Sequence, residues 1–204
     1  MSSASPIDRT FSSERLAIFT DGVMAVAITV LVLDLKIPEG LSPDALNAAL
    51  DGLWHSFLCY VLSFVVIGVL WIAHHGQFAH IKRADALLMW LNLLFLMAVA
   101  LIPFVTSLMS DYGGARSTAL YALVLTASCL LLAAEWWYAG RNSKLMAENV
   151  PAELRRAGVL TPLLVAAVFM ASIGVAYLWG STTAQWSWLL AAVAGPIAGR
   201  ISRV

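Results

Sequence analysis

The chain has 204 residues, of which 61% are hydrophobic and only 12% are charged. Soluble domains contain roughly 45–50% apolar and about 25% charged residues, so this composition excludes an ordinary soluble domain. Twelve basic and 12 acidic residues give a formal net charge of zero. A chain without a basic surplus is not expected to bind nucleic acid. The positions of the charges are therefore more informative than their sum.

Six apolar segments follow one another along the chain. A helix needs roughly 20 mainly apolar residues to cross the hydrocarbon core of a bilayer, and five segments reach that length. The sixth is short and contains Gly195 and Pro196. The segments are residues 16–37, 53–72, 86–109, 118–138, 159–179 and 186–200. We predict an all-α integral membrane protein with one six-helix domain over residues 1–204.

The basic residues divide unequally between the two sides of such a bundle. Six spans leave only Lys36 and Arg116 on one side. The other side holds both termini and ten basic residues, namely Arg9, Arg15, Lys82, Arg83, Arg141, Lys144, Arg155, Arg156, Arg200 and Arg203. Cytoplasmic loops carry the excess of Lys and Arg in membrane proteins. We therefore predict a multi-pass protein of the plasma membrane with both termini in the cytoplasm.

The first span carries polar residues that need an explanation, because polar side chains are expensive inside a membrane. At about 100° per residue, one narrow stripe of an ideal helix contains Gly22, Val26, Thr29 and Leu33, continued by Phe19 and Arg15. The carboxylate of Asp21 points about 100° away from this stripe. From the residues alone, helix packing is the favoured explanation of this stripe, because small residues and a Thr bonded to its own helix are common at membrane helix contacts.

Asp21 also allows two interpretations. It is either a carboxylate near the membrane interface that pairs with a cation, or a member of a buried polar network. The second span ends in Trp71, His74 and His75 on the same side of the bundle. These side chains are candidate hydrogen-bond donors to Asp21, which favours the network.

The segment RLAIFTDGV, from Arg15 to Val23, resembles the signature R-x-x-x-F-S-D-G of the bacterial transmembrane-protein-175-like family, which includes relatives of the lysosomal potassium channel. The match continues in Ser63, Phe64, Trp71, His74, His75, Phe78, Asn92, Phe95, Ile102, Pro103 and Phe104. It covers about the first half of the chain. Thr20 replaces the usual Ser and keeps its hydroxyl. Val26 is smaller than the Ile or Leu that the family usually has at this position. If this residue lines a pore, as the resemblance implies, the change would widen the pore there or move its narrowest point to Leu33.

The resemblance implies a homotetramer in the lipid bilayer, with the first helix of each subunit lining a central potassium-conducting pore. The implied pore wall is Val26, Thr29, Val30 and Leu33, with Gly22 and Asp34 at the pore mouths. The implied signature and polar network is Arg15, Phe19, Thr20, Asp21, Gly22, Trp71, His74, His75 and Asn92. No cofactor is implied beyond the permeating potassium ion, and monovalent cations are the expected ligands.

Rings of branched apolar side chains on a pore axis gate by excluding the water that an ion needs. We therefore assign the gate to Leu33 and a modest cation preference to the hydroxyl ring of Thr29. The carboxylate of Asp34 would raise the local cation concentration at the pore mouth where it lies. The sequence contains no T-V-G-Y-G segment, so a backbone-carbonyl filter of that type is not expected.

Three other classes compete with the channel. A proton-coupled secondary transporter would use Asp21 with His74 or His75 as a titrating relay. A metal-dependent membrane enzyme would need His74, His75, His80 and Asp85, but the histidines lack the H-E-x-x-H spacing and are better explained as solvated side chains. A purely structural membrane protein is the third. We predict a channel rather than an enzyme.

Overall fold

The computed structural model of the protein describes residues 11–193 and 197–198. Within these ranges the chain is almost entirely helical. The helices are α1 (Ser13–Val30), α2 (Pro43–Gly52), α3 (Trp54–Phe78), α4 (Ala86–Ala100), α5 (Ile102–Tyr112), α6 (Gly114–Arg141), α7 (Ala152–Trp179) and α8 (Ser181–Ser187). Short 3₁₀ segments, Leu31–Asp34 and Trp188–Val193, follow α1 and α8. The remaining elements are two short strands, β1 (Phe11–Ser12) and β2 (Arg83–Ala84).

Five segments are long and apolar enough to cross a membrane, namely Ser13–Asp34, Trp54–Phe78, Ala86–Tyr112, Gly114–Arg141 and Ala152–Trp179. They overlap the first five predicted spans, so the helical membrane class is confirmed. The sixth predicted span, 186–200, lies partly outside the described residues, since 194–196 and 199–200 are not among them. Six spans per subunit therefore stay a prediction. Arg9, Arg200 and Arg203 also lie outside the described residues.

The third predicted span, 86–109, is not one continuous helix. It divides into α4 and α5, with the break at Leu101 and with Pro103 in the first turn of α5. Proline has no N–H, and its ring collides with the carbonyl four residues earlier, so it interrupts a helix but fits a first turn. The predicted span 86–109 lies within one segment of membrane-spanning length, Ala86–Tyr112, which includes this break.

One end of the bundle is held together by short backbone pairings. β1 pairs with β2 in an antiparallel register, and Ile81 forms an isolated bridge with Met146. These pairings bring the start of α1, the end of α3 and the end of α6 to the same end. Arg15, Arg83 and Arg141 therefore share one end of the bundle, as the charge distribution predicts.

α6 and α7 pack closely near this end. The indole of Trp136 is almost fully buried, and its Nε1 donates a hydrogen bond to the backbone oxygen of Arg155 at 2.9 Å. Gly158 lies directly opposite, and a methyl group added there would collide with the ring of Trp136. The absence of a side chain at Gly158 therefore allows the two helices to approach.

Gly158→Ala is expected to destabilise the protein, although alanine is intrinsically the better helix former. Overpacking a filled site costs about 1–3 kcal/mol, which exceeds the roughly 1 kcal/mol gained from helix propensity. The melting temperature in detergent, followed by circular dichroism, measures the effect. The matched control is Gly174→Ala on the same helix, where nothing lies within 4 Å of an added methyl group. Equal melting temperatures for the two variants would contradict the proposed contact.

Candidate functional site: the exposed face of α1 and a buried polar network

α1 has one face inside the subunit and one outside it. Thr20, Met24 and Ala27 are buried, as is Leu31 in the following 3₁₀ turn. The opposite side is exposed and includes Arg15, Phe19, Gly22, Val26, Thr29, Val30 and Leu33. The structure thus places the whole predicted stripe on the side of α1 that the subunit itself leaves uncovered.

The stripe changes its geometry at the end of α1. Val26 is 61% exposed and Leu33 is 64% exposed, with Val30 between them at 40%. Residues 31–34 form a 3₁₀ turn, in which side chains three positions apart eclipse one another. Leu33 therefore lines up with Val30 rather than holding the angle that an ideal α-helix gives it. The α-helical angle used in the sequence analysis therefore does not apply to Leu33, although Leu33 stays exposed with the rest of the stripe.

Thr29 lies on the exposed face and bonds to its own helix. Its hydroxyl donates a hydrogen bond to the backbone oxygen of Val26 at 2.9 Å. Because the single proton is used in this bond, the oxygen remains available only as an acceptor. Such an oxygen can interact with a cation but cannot donate to an anion. Asp34, farther along, is half-buried.

A buried chain of polar groups joins α1, α3 and α4. Asn92 Nδ2 donates to Thr20 Oγ1 at 2.9 Å. His74 Nε2 lies 2.9 Å from Asn92 Oδ1, and this amide oxygen only accepts, so Nε2 is the donor. All three residues are almost fully buried. Since each comes from a different helix, these bonds fix α1 against the rest of the subunit.

The imidazole ring of His74 stacks on two aromatic rings in addition to its hydrogen bond with Asn92. Its ring stacks on Phe78 with centroids 4.1 Å apart and on Phe95 with centroids 5.4 Å apart. The interpretation of the histidines as solvated side chains is wrong for His74, which the helix turns into the bundle. His75, one position later, is exposed.

Glu135 on α6 is a functional candidate that the sequence analysis missed. Its Oε2 lies 3.6 Å from Nε2 of His74, and the residue is 0% exposed. Neither carboxylate oxygen has a hydrogen-bond partner among the described residues. Glu135 is the only acidic residue of α6. An ionisable residue within a membrane span is itself a signal, and applying that rule to every span would have found it.

Asp21 belongs to a separate contact. Trp71 Nε1 donates to Asp21 Oδ1 at 2.8 Å, and the ring of Trp71 lies 5.6 Å from that of His75. Within residues 11–193 and 197–198, neither His74 nor His75 is hydrogen-bonded to Asp21. The predicted relay residues are therefore neighbours on two helices without being joined.

The histidines and acidic residues do not gather into a metal centre in the described part of the chain. No group of three or more His, Cys, Asp or Glu side chains there is placed to hold a metal ion. Asp85 has a structural role, since its carboxylate caps α4 by accepting from the Leu88 N–H at 2.9 Å. It also accepts a hydrogen bond from the Tyr138 hydroxyl at 2.6 Å.

Known proteins resemble this chain in both sequence and fold. The sequence model of the family described as endosomal/lysosomal potassium channel TMEM175 matches residues 15–103. A protein named potassium channel in Streptomyces collinus is 38% identical over 170 residues, covering 81% of this chain and 82% of that protein. A bovine protein named endosomal/lysosomal proton channel TMEM175 is 34% identical over 148 residues, covering 68% of this chain but only 30% of its own length.

A solved structure has a similar fold over nearly the whole chain. It is the crystal structure of a lysosomal potassium-selective channel TMEM175 homolog from Chamaesiphon minutus. The two chains are 26% identical and superpose with a TM-score of 0.74, covering 91% of this chain and 97% of the homolog. The region matched by the family's sequence model, residues 15–103, includes the exposed face of α1 and the buried residues Thr20, His74 and Asn92.

Proposed function

Because this chain belongs to the TMEM175 family, whose members are ion channels, we propose that it is a potassium-permeable channel that conducts passively through a central pore. The chain is a multi-pass membrane protein with apolar helices of spanning length. The observation that carries the proposal is the stripe on α1, which the subunit leaves uncovered although it contains a hydroxyl and a glycine. A second copy of the same stripe is the partner that would cover it.

Four subunits assemble in the plasma membrane with α1 of each copy at the shared axis. Each subunit contributes six spans, and the basic end of the bundle faces the cytoplasm. This assembly places the exposed side chains of Val26, Val30 and Leu33 on the shared axis, opposite the same side chains of the other copies and away from lipid. It also explains why α1 is tied to α3 and α4 by buried polar bonds, since a pore wall must keep its position.

The pore combines an apolar constriction with one polar ring. Val26, Val30 and Leu33 form rings that close the path by dewetting. The Thr29 ring presents hydroxyl oxygens that accept but do not donate, which suits a passing cation. Gly22 and Asp34 lie at the two mouths of this segment.

A second candidate is proton-linked transport, because animal relatives carry the name proton channel. The secondary-transporter version requires a relay between Asp21 and His74 or His75. In the described residues these groups lie in separate hydrogen-bonded sets, Asp21 with Trp71 and His74 with Asn92. A relay would need an added connection, so passive potassium conduction is favoured.

Electrical recording from the purified protein in planar bilayers distinguishes these functions. With equal pH on both sides, a tenfold potassium gradient is expected to shift the reversal potential towards about 59 mV, the full value for a single permeant monovalent ion. With equal potassium and a pH gradient, the reversal potential is expected to stay near zero. Protein-free bilayers are the control. A reversal potential that follows the proton gradient would contradict passive potassium conduction.

A further inference from the structure

A groove with basic side chains lies between the end of α6 and the start of α7, away from the exposed face of α1. Its volume is about 390 Å³. It is lined by Trp136, Trp137, Gly140, Arg141, Arg155, Arg156, Val159 and Leu160. Three arginines thus line one cavity together with apolar side chains, and neither the polar network nor the proposed pore uses it.

The arginines are exposed and have no acidic partner in the described residues. Among the described residues, only one Lys, Arg or His side chain lies within 4.0 Å of a carboxylate. It is His74, which lies beside Glu135. Glu148 and Glu153 are the acidic residues of the same connection and first turn, yet neither reaches a guanidinium within that distance. The groove therefore has an uncompensated positive charge.

Two contacts restrain the side chain of Arg141 and the backbone of Arg155. The guanidinium carbon of Arg141 lies 4.6 Å from the ring centroid of Trp137, a cation–π arrangement. The backbone of Arg155 is fixed by the hydrogen bond from Trp136. Arg155 and Arg156 also lie in the first turns of α7, where the positive end of the helix dipole adds to their charge. Part of the groove is thus in place before any ligand arrives.

The groove lies where a phospholipid headgroup would be found. α6 reaches Arg141 at the end of its spanning segment, and the ring of Trp137 is half-exposed one turn earlier, as is typical of the membrane interface. Basic pockets between membrane helices bind anionic headgroups, and guanidinium groups match phosphate oxygens in geometry. Val159 and Leu160 continue from the arginines in the direction of the hydrocarbon core.

We propose that this groove binds an anionic phospholipid, with Arg141, Arg155 and Arg156 contacting the phosphate headgroup and the acyl chains lying along Val159 and Leu160. A zwitterionic lipid offers the same chains with a compensating positive charge and binds more weakly. Free phosphate offers the same oxygens without chains. The proposal concerns the protein's lipid contacts and does not depend on which ion the pore conducts.

Native mass spectrometry of the protein in detergent, titrated with dioleoyl-phosphatidylglycerol, tests the site. The variant Arg141→Gln/Arg155→Gln/Arg156→Gln is expected to weaken binding by about tenfold or more, because each basic residue contributes substantially to anionic-lipid attraction. The matched control is Lys82→Gln/Arg83→Gln/Lys144→Gln, which removes three exposed basic residues at the same end but outside the groove. The control is expected to bind within about twofold of the unmodified protein.

Three outcomes would overturn the proposal: equal weakening by both triple variants, equal affinity for dioleoyl-phosphatidylcholine, or displacement of the lipid by an equal concentration of inorganic phosphate. A second measurement does not need the triple variant to fold. Brominated phosphatidylglycerol is expected to quench tryptophan fluorescence more than brominated phosphatidylcholine does. Trp137→Phe should remove much of that difference, and an unchanged difference would place the lipid elsewhere.

Discussion

Asn92→Leu is expected to lower the free energy of unfolding of the subunit by about 2–6 kcal/mol. Leucine is close to asparagine in shape, so the effect comes from the polar groups that are left behind. Thr20 loses the donor at 2.9 Å and His74 loses its acceptor at 2.9 Å, and both are almost fully buried. An unsatisfied buried polar group costs about 1–3 kcal/mol, and this substitution creates two.

Glu135 limits the size of this loss. Its Oε2 lies 3.6 Å from Nε2 of His74 and is without a hydrogen-bond partner among the described residues. A small movement would let this oxygen accept the hydrogen bond from His74 Nε2 that Asn92 no longer accepts, so we expect a loss in the lower half of the range. Unfolding by sodium dodecyl sulfate, followed by circular dichroism, measures the difference in free energy.

Thr20→Ser is the matched control for this network. It keeps the hydroxyl that pairs with Asn92 and removes only one methyl group, so a loss of roughly 1 kcal/mol is the most that we expect. Asp21→Asn replaces the charged acceptor of the Trp71 hydrogen bond with a neutral amide oxygen, so it should weaken folding or assembly more than it changes ion preference. If Asn92→Leu unfolds like the unmodified protein, the three-helix connection does not stabilise α1.

The spans could be predicted from the sequence because hydropathy is a local property, whereas the helix ends could not. α7 begins at Ala152 and α3 continues to Phe78, each six or seven residues beyond the predicted apolar windows. Hydropathy marks the part of a helix inside the hydrocarbon core, while backbone hydrogen bonds carry the helix on into polar sequence. Hydropathy therefore underestimates helices that extend past the bilayer core.

The candidate site, too, could be predicted from the sequence only in part. The stripe on α1 follows from helical periodicity, because residues on one face recur at known spacings. The pairing of Thr20 with Asn92 joins residues 72 positions apart, and no local pattern encodes it. The 3₁₀ turn that changes the angle of Leu33 contains no proline or glycine, so its sequence does not predict a departure from the α-helix.

Leu33→Ala is expected to raise the potassium current severalfold, which is the largest functional change we predict. Leu33 is 64% exposed in the subunit and lines up with Val30, so four copies would form a continuous apolar neck. Shortening the side chain widens that neck and makes it easier for water to enter. Val32→Ala is the matched control, since Val32 lies on the same 3₁₀ turn and is 49% exposed but is about 120° from Leu33 around that turn. Its current should be unchanged.

We expect ion preference to depend on Thr29, whereas the size of the current depends on Leu33. Thr29→Val keeps the shape of the side chain and removes the oxygen, so the ratio of potassium to sodium permeability is expected to fall while the apolar neck is preserved. Thr29→Ser restores an oxygen and should restore the ratio. Reversal potentials with potassium on one side and sodium on the other measure it. A gate at Leu33 and an acceptor ring at Thr29 require these separate responses. If Leu33→Ala leaves the current unchanged and Thr29→Val leaves the ion preference unchanged, α1 does not line the pore.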